Sequence, residues 1–208
     1  MRERRVRRAE RFFADHPGLA DDYLDHPYLE VRALAARFAD PFRIGVDFEA
    51  PEPEVRAMAV RRASAARAAR LAADPDVRVR VAVAGRLTGR RLAEMLGDPE
   101  AAVRRAVVRR LPQDLLSLAL ADDDAEVRRL AARRMPPDDL IRVILDPEPL
   151  VRLEAAGRLP LDWLGLLAHD PDLRVRRAAA ARLPPRELDA LRSGAAPAIH
   201  QLQGQGGD

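Results

Sequence analysis

The chain has 208 residues, 48% apolar but only 4% aromatic, so its core must be built from Ala, Val and Leu, which suits packed helices better than an aromatic, β-branched sheet. All 36 basic side chains are Arg, net charge is only +3, and Cys is absent, which excludes disulfides and thiolate metal sites. No stretch approaches the ~20 apolar residues of a membrane span, and the Arg-rich start runs into no apolar signal core, so a cytoplasmic protein is expected.

Residues 1–25 read as an N-terminal capping segment. Residues 1–11 carry six Arg against Glu3 and Glu10, a local net of +4 that leaves the rest of the chain near neutral. Val6 to Phe13 fits a terminal capping helix, with an amphipathic surface anchor as the alternative.

From residue 26 to residue 193 the chain repeats every 24 residues: Val31-Arg32, Val55-Arg56, Val79-Arg80, Val103-Arg104, Val127-Arg128, Val151-Arg152 and Val175-Arg176. A fixed period of this size marks units that bury their apolar faces by stacking on one another. The expected fold is therefore all-α, a solenoid of about seven 24-residue units, each an α-helix plus a short α or 3-10 segment.

Each repeat position has a physical role. We count from the loop Asp (Asp74, Asp98, Asp122, Asp146, Asp170), which closes the preceding unit and in four cases precedes a Pro. Two residues on, an acid (Glu52, Asp76, Glu100, Asp124, Glu148, Asp172) suits a helix N-cap, and Pro53 and Pro149 then occupy the first helical position. A helix of about eleven residues should follow, with stripes such as Val103, Val107, Leu111 or Val151, Ala155, Leu159 facing the core. Pro112, Pro136, Pro160 and Pro184 stop it.

The recurring Arg lies four residues after the capping acid and six after the loop Asp. It can pair i,i+4 with the cap or join a ladder of loop carboxylates, its own or the next unit's, and either role is structural. A second Arg at the helix end (Arg62, Arg86, Arg110, Arg134, Arg158, Arg182) answers the negative end of the helix dipole.

Two places break the period. Unit one continues after Arg37 through Phe38, Phe42 and Phe48, either an N-terminal capping adaptation or a partner-docking loop. Trp163, the single tryptophan, is a candidate interface anchor or a local packing filler. Residues 194–208, rich in Gly, Gln and Pro, are expected to form a disordered tail.

The pattern Asp-Pro-acid-x-x-Val-Arg followed by Ala resembles HEAT and HEAT-like repeats, in which an Asp and a basic residue form an inter-repeat ladder. The 24-residue unit and the Arg-Leu-Pro-x-x-Leu junction, as in Arg110-Leu111-Pro112 to Leu115, resemble the leucine-rich repeat variant family instead. That resemblance implies a right-handed superhelix of paired helices without strands, and a role as an interaction scaffold. Some members carry an N-terminal Cys-ligated iron–sulfur cluster, which this Cys-free chain does not inherit.

No HExxH, P-loop, GxSxG or Gly-rich phosphate turn appears, so no catalytic residue, metal site or cofactor is expected and the chain reads as a non-enzyme. His16, His26, His169 and His200 are scattered along the chain, and Asp122-Asp123-Asp124 lacks the ligand spacing of a calcium loop.

Positions four, seven and eleven after the loop Asp fall on one side of the first helix, opposite the core stripe, and vary between units. They carry Glu30 and Glu54 early, Arg105, Arg109, Arg129 and Arg133 in the middle, Leu150 and Leu153 next, then Arg174 and Arg177. Arg105/Arg109 and Arg129/Arg133 are like-charged i,i+4 pairs that destabilise a helix slightly, so they are better functional candidates than the ladder Arg. The expected ligand is a protein partner, acidic in character, with phosphate or nucleic acid as the weaker alternative because no aromatic platform accompanies the Arg patch. A merely solvated face is the competing reading.

Overall fold

The computed structural model describes residues 2–39 and 48–192. Phe42 and the expected tail from Gly194 to Asp208 lie outside the described residues. Among the described residues every regular element is helical. They group into two compact units, Met1–Leu111 and Pro112–Asp208.

The first unit contains α1 (Arg2–Asp15), a 3-10 segment at Pro17–Tyr23, α2 (Leu29–Phe38), α3 (Pro53–Arg62), α4 (Ala65–Ala68) with Ala69–Leu71, α5 (Val77–Ala84), α6 (Gly89–Glu94) with Met95–Gly97, and α7 (Ala101–Val108). Helix α1 packs on α2, α2 on α3, α3 on α5 and α5 on α7. The second unit contains a 3-10 segment at Gln113–Ala121, α8 (Ala125–Arg134), a 3-10 segment at Pro137–Val143, α9 (Pro149–Arg158), α10 (Leu161–Leu164) with Gly165–Leu167, α11 (Leu173–Ala180) and α12 (Pro185–Arg192). There α8 packs on α9 and α9 on α11, so the longer helices one period apart are neighbours within each unit.

All six expected acids sit at the N-cap position, but only four cap through the side chain; Glu52 and Glu100 make no such hydrogen bond. Asp76 accepts the backbone N–H of Arg78, Asp124 those of Glu126 and Val127, Glu148 that of Leu150, and Asp172 that of Arg174. Each satisfies a donor that the first turn leaves without an intrahelical partner. The repeat helices run 8 or 10 residues, shorter than the eleven expected. Their stripes are buried as anticipated: Val103, Val107, Leu111, Val151, Ala155 and Leu159 are all fully enclosed.

The connecting Pro residues do more than stop a helix. Pro112, Pro136 and Pro160 sit in extended backbone, and their carbonyls accept the N–H groups of Leu115, Asp139 and Trp163, opening the next segment. That segment is 3-10 throughout in Gln113–Ala121 and Pro137–Val143. The buried residues of the short segments recur three apart, as Leu92/Met95, Leu116/Ala119, Leu140/Val143 and Leu164/Leu167. That spacing keeps each pair on one face of a 3-10 or an α-helix alike, so both forms serve the same packing.

Candidate partner-binding face

The recurring Arg reaches past its own loop to the loop Asp of the following repeat. Arg56 donates through Nε and Nη2 to Asp74 at 2.8 and 2.9 Å, Arg80 to Asp98 at 2.7 and 3.1 Å, Arg128 to Asp146 at 2.8 and 2.9 Å, and Arg152 to Asp170 at 2.6 and 2.8 Å. The third nitrogen turns back. Nη1 of Arg80 donates to the carbonyls of Asp74 and Pro75 at 2.9 and 3.2 Å, and Nη1 of Arg152 to those of Asp146 and Pro147. One planar fork thus ties two loops together, which a Lys could not do. Of the alternatives open to this Arg, the structure selects the next unit's carboxylate over the i,i+4 cap pair.

Each loop Asp also accepts the N–H two residues on, as Asp74 does from Asp76 at 2.9 Å and Asp170 from Asp172 at 2.8 Å. Burial alone would raise the Asp74 carboxyl, but the Arg56 guanidinium and the Asp76 N–H hold it below the ordinary carboxylate range. Asp146 is balanced the same way, with Arg128 and the Glu148 N–H outweighing burial. At Asp170 the hydrogen bond from Arg152 is the largest influence, and the net direction is again downward.

The helix-end Arg also reaches across. Arg62 donates to the Ala36 carbonyl at 3.0 Å, Arg86 to Ala63 at 3.0 Å, Arg158 to Ala132 at 3.1 Å and Arg133 at 2.7 Å, and Arg182 to Ala156 at 3.0 Å. The expected answer to the helix dipole is therefore given to the C-terminal end of the neighbouring helix.

With these side chains engaged in packing, the variable face remains. Arg109 and Arg177 are exposed, and Arg105 is half-buried. The Arg129/Arg133 pair is not bare: Glu154, one repeat on, lies 3.0 Å from Nε of Arg129 and 3.8 Å from that of Arg133, and Glu126 lies 3.5 Å from Arg129. Arg174 is held by Asp172 at 2.9 Å, which draws that carboxyl down to about 2. In the first unit Arg78 is shared between Asp76 and Glu54. Within each unit, then, the variable positions lie beside side chains of both signs.

The two aromatic candidates differ. Phe48 is 5% exposed, with the Arg67 guanidinium 5.7 Å above its ring, so it packs in the core as the capping alternative requires rather than offering a docking surface. Trp163 is half-buried on α10. Exposed leucines that sequence reasoning did not single out occur in the second unit, Leu145 being 89% exposed and Leu118, Leu161, Leu166 and Leu173 also open.

The N-terminal region holds an unanticipated aromatic cluster. Phe13 is buried, stacked on Phe38 at 6.1 Å and edge-on to Tyr23 at 5.4 Å, while Glu10 pairs with Arg37 across α1 and α2. Beside it an open groove of about 420 Å³ is lined by Arg8, Ala9, Phe12, Phe13, Tyr23, His26 and Val31. His26 occupies the loop-Asp position, and its Nδ1 accepts the Tyr28 N–H at 3.2 Å, imitating the turn that the Asp residues make elsewhere. Among the described residues no cluster of three metal-ligating side chains occurs, and no helix is long and apolar enough to cross a membrane.

These features define a helical repeat protein in which α-helices alternate with shorter 3-10 or α segments. The structure is similar to a solved leucine-rich repeat variant with a novel repetitive structural motif, at 37% sequence identity and a TM-score of 0.81, over 90% of this chain and 79% of that one. The chain belongs to the leucine-rich repeat variant family. It also shares 50% identity over 44 residues with an uncharacterized 27.7 kDa protein in the nifB 3′ region of Rhodobacter capsulatus, a match that spans 21% of this chain and only 18% of that protein. No family model matches the chain.

Proposed function

We propose that this chain is a non-enzymatic scaffold of the cytoplasm that holds a protein partner on the variable face of its repeat helices. The observation that carries this reading is the division of labour within each repeat. In the complete rungs the loop Asp and the recurring Arg are spent on turns and on the neighbouring repeat, and helix-end Arg reach the neighbouring helix, whereas the positions of Arg109, Arg129, Arg133 and Arg177 vary from unit to unit at the surface. Glu154 between Arg129 and Arg133, and Glu54 beside Arg78, favour a partner surface of mixed charge over a uniform polyanion. Trp163, half-buried on α10, is of the residue type that anchors protein interfaces.

The test has two arms. Gel-shift titration against duplex and single-stranded DNA and RNA at low salt is expected to give no complex, since a phosphate ligand would bind there most tightly and weaken steeply with salt. Affinity capture with the wild type and with an Arg109→Glu/Arg129→Glu/Arg133→Glu variant is expected to lose a protein partner only in the variant, at unchanged helical content. Salt-sensitive retardation of nucleic acid, abolished by the same substitutions, would overturn the reading in favour of a phosphate binder.

A further inference from the structure

The ladder has a regular rung geometry, and Arg176 departs from it at one point. Its Nη1 donates to the carbonyls of Asp170 and Pro171 at 2.7 and 2.9 Å, as Nη1 of Arg152 does one repeat earlier to Asp146 and Pro147. The inner half of the guanidinium is therefore anchored as in the complete rungs. The outer half, Nε and Nη2, grips the next loop Asp in Arg56, Arg80, Arg128 and Arg152, but has no acceptor among the described residues in Arg176. One period beyond Asp170 the sequence places Gly194, which has no carboxylate to offer.

We propose that Arg176 is a carboxylate-binding site, an open rung that receives the aspartate at the start of a helix in a partner protein. Four complete rungs in this molecule give the ligand chemistry directly: a carboxylate that takes both outer nitrogens at 2.6–3.1 Å and accepts the N–H two residues further on. Because two backbone carbonyls already fix the guanidinium plane, little orientational freedom is lost on binding. Leu173, one turn earlier on α11, is exposed and supplies apolar contact on the same side of the helix. A second copy of this chain is disfavoured as the occupant, because its first loop presents His26, which keeps the turn but carries no carboxylate. This site is distinct from the variable face.

The probe is a synthetic peptide with the sequence of residues 143–159, which contains the Asp146 loop and the α9 sequence, titrated into the ¹⁵N-labelled full chain while arginine Nε–Hε signals are followed. The Arg176 signal, assigned by Arg176→Lys, is expected to exchange rapidly with solvent in the free protein, to shift on addition of peptide, and to become protected. An Asp146→Asn peptide, or the Arg176→Lys protein, should bind at least about tenfold more weakly, because the charge-assisted fork is lost. The Arg186→Lys protein should bind as the wild type does. Equal binding of the Asp and Asn peptides, no shift up to millimolar peptide, or an Arg176 signal already protected in the free chain would each overturn the proposal. None of these outcomes depends on Arg109, Arg129 or Arg133, so failure here is distinguishable from failure of the scaffold reading.

Discussion

Arg128 and Arg129 are adjacent in sequence and meet opposite fates. Arg128, on the loop side, is buried, fixed by two carbonyls and clasped by Asp146. Arg129, on the open helix face, shares Glu154 with Arg133 and remains about a third exposed. Residue type therefore says little about role in a chain whose basic side chains are all Arg. What decides is whether the helical register turns the guanidinium toward the neighbouring loop or toward solvent, because burial multiplies both the benefit of a partner and the cost of losing it.

The largest expected effect comes from breaking the loop side. Arg152 is 7% exposed and Asp170 6%, so Arg152→Ala strands a buried carboxylate and should lower unfolding free energy by about 3–5 kcal/mol, as read by urea denaturation. Acid should reproduce part of this without mutation. The carboxyls of Asp74, Asp146 and Asp170 lie below their ordinary value in the fold, so their contribution is complete above about pH 4, the unfolded value, and is lost as pH falls through the lower folded value. Denaturation at neutral and acid pH should show Asp170→Asn with a flatter pH dependence than the wild type.

An intermediate loss is expected at the helix ends. Arg158→Ala removes donors from the carbonyls of Ala132 and Arg133 and should cost about 1–3 kcal/mol by the same measurement. On the open face Arg129→Ala should cost at most about 1 kcal/mol, and Arg109→Ala or Arg177→Ala should fall within about 0.5 kcal/mol of wild type. If a face substitution matched Arg152→Ala in cost, the distinction between the two sides would fail.

Much of this fold was legible in the sequence. Four of the six capping acids, the Val103/Val107/Leu111 stripe and the stopping Pro residues each carry a local signal that local geometry then obeys, whereas Glu52 and Glu100 hold the N-cap position without a side-chain bond. The ladder partner was ambiguous because an Arg six residues after one Asp and eighteen before the next can meet either, and only the stacking distance between repeats chooses. The helix-end Arg was placed on its own helix because sequence spacing shows no neighbour. Whether the short segments are 3-10 or α is not legible from apolar spacing, because Leu116/Ala119 in a 3-10 segment and Leu164/Leu167, which starts in α10, are both three apart. Glu154 escaped notice because it stands eight residues after its loop Asp, outside the three positions compared on the helical wheel, yet it reaches back to Arg129. Phe48 was left open between a capping adaptation and a docking loop, and its burial fits the capping alternative.

The most direct test is a pair of double-mutant cycles, one on Arg152/Asp170 and one on Arg174/Asp172, with Met replacing Arg and Asn replacing Asp. Both pairs are joined through two nitrogens, at 2.6 and 2.8 Å in the first and 3.1 and 2.9 Å in the second, so hydrogen-bond geometry alone does not separate them. If register and burial decide the role of each Arg, the Arg152/Asp170 coupling will reach about 2–3 kcal/mol and will clearly exceed that of the exposed Arg174/Asp172 pair. Equal couplings in the two cycles would contradict that account.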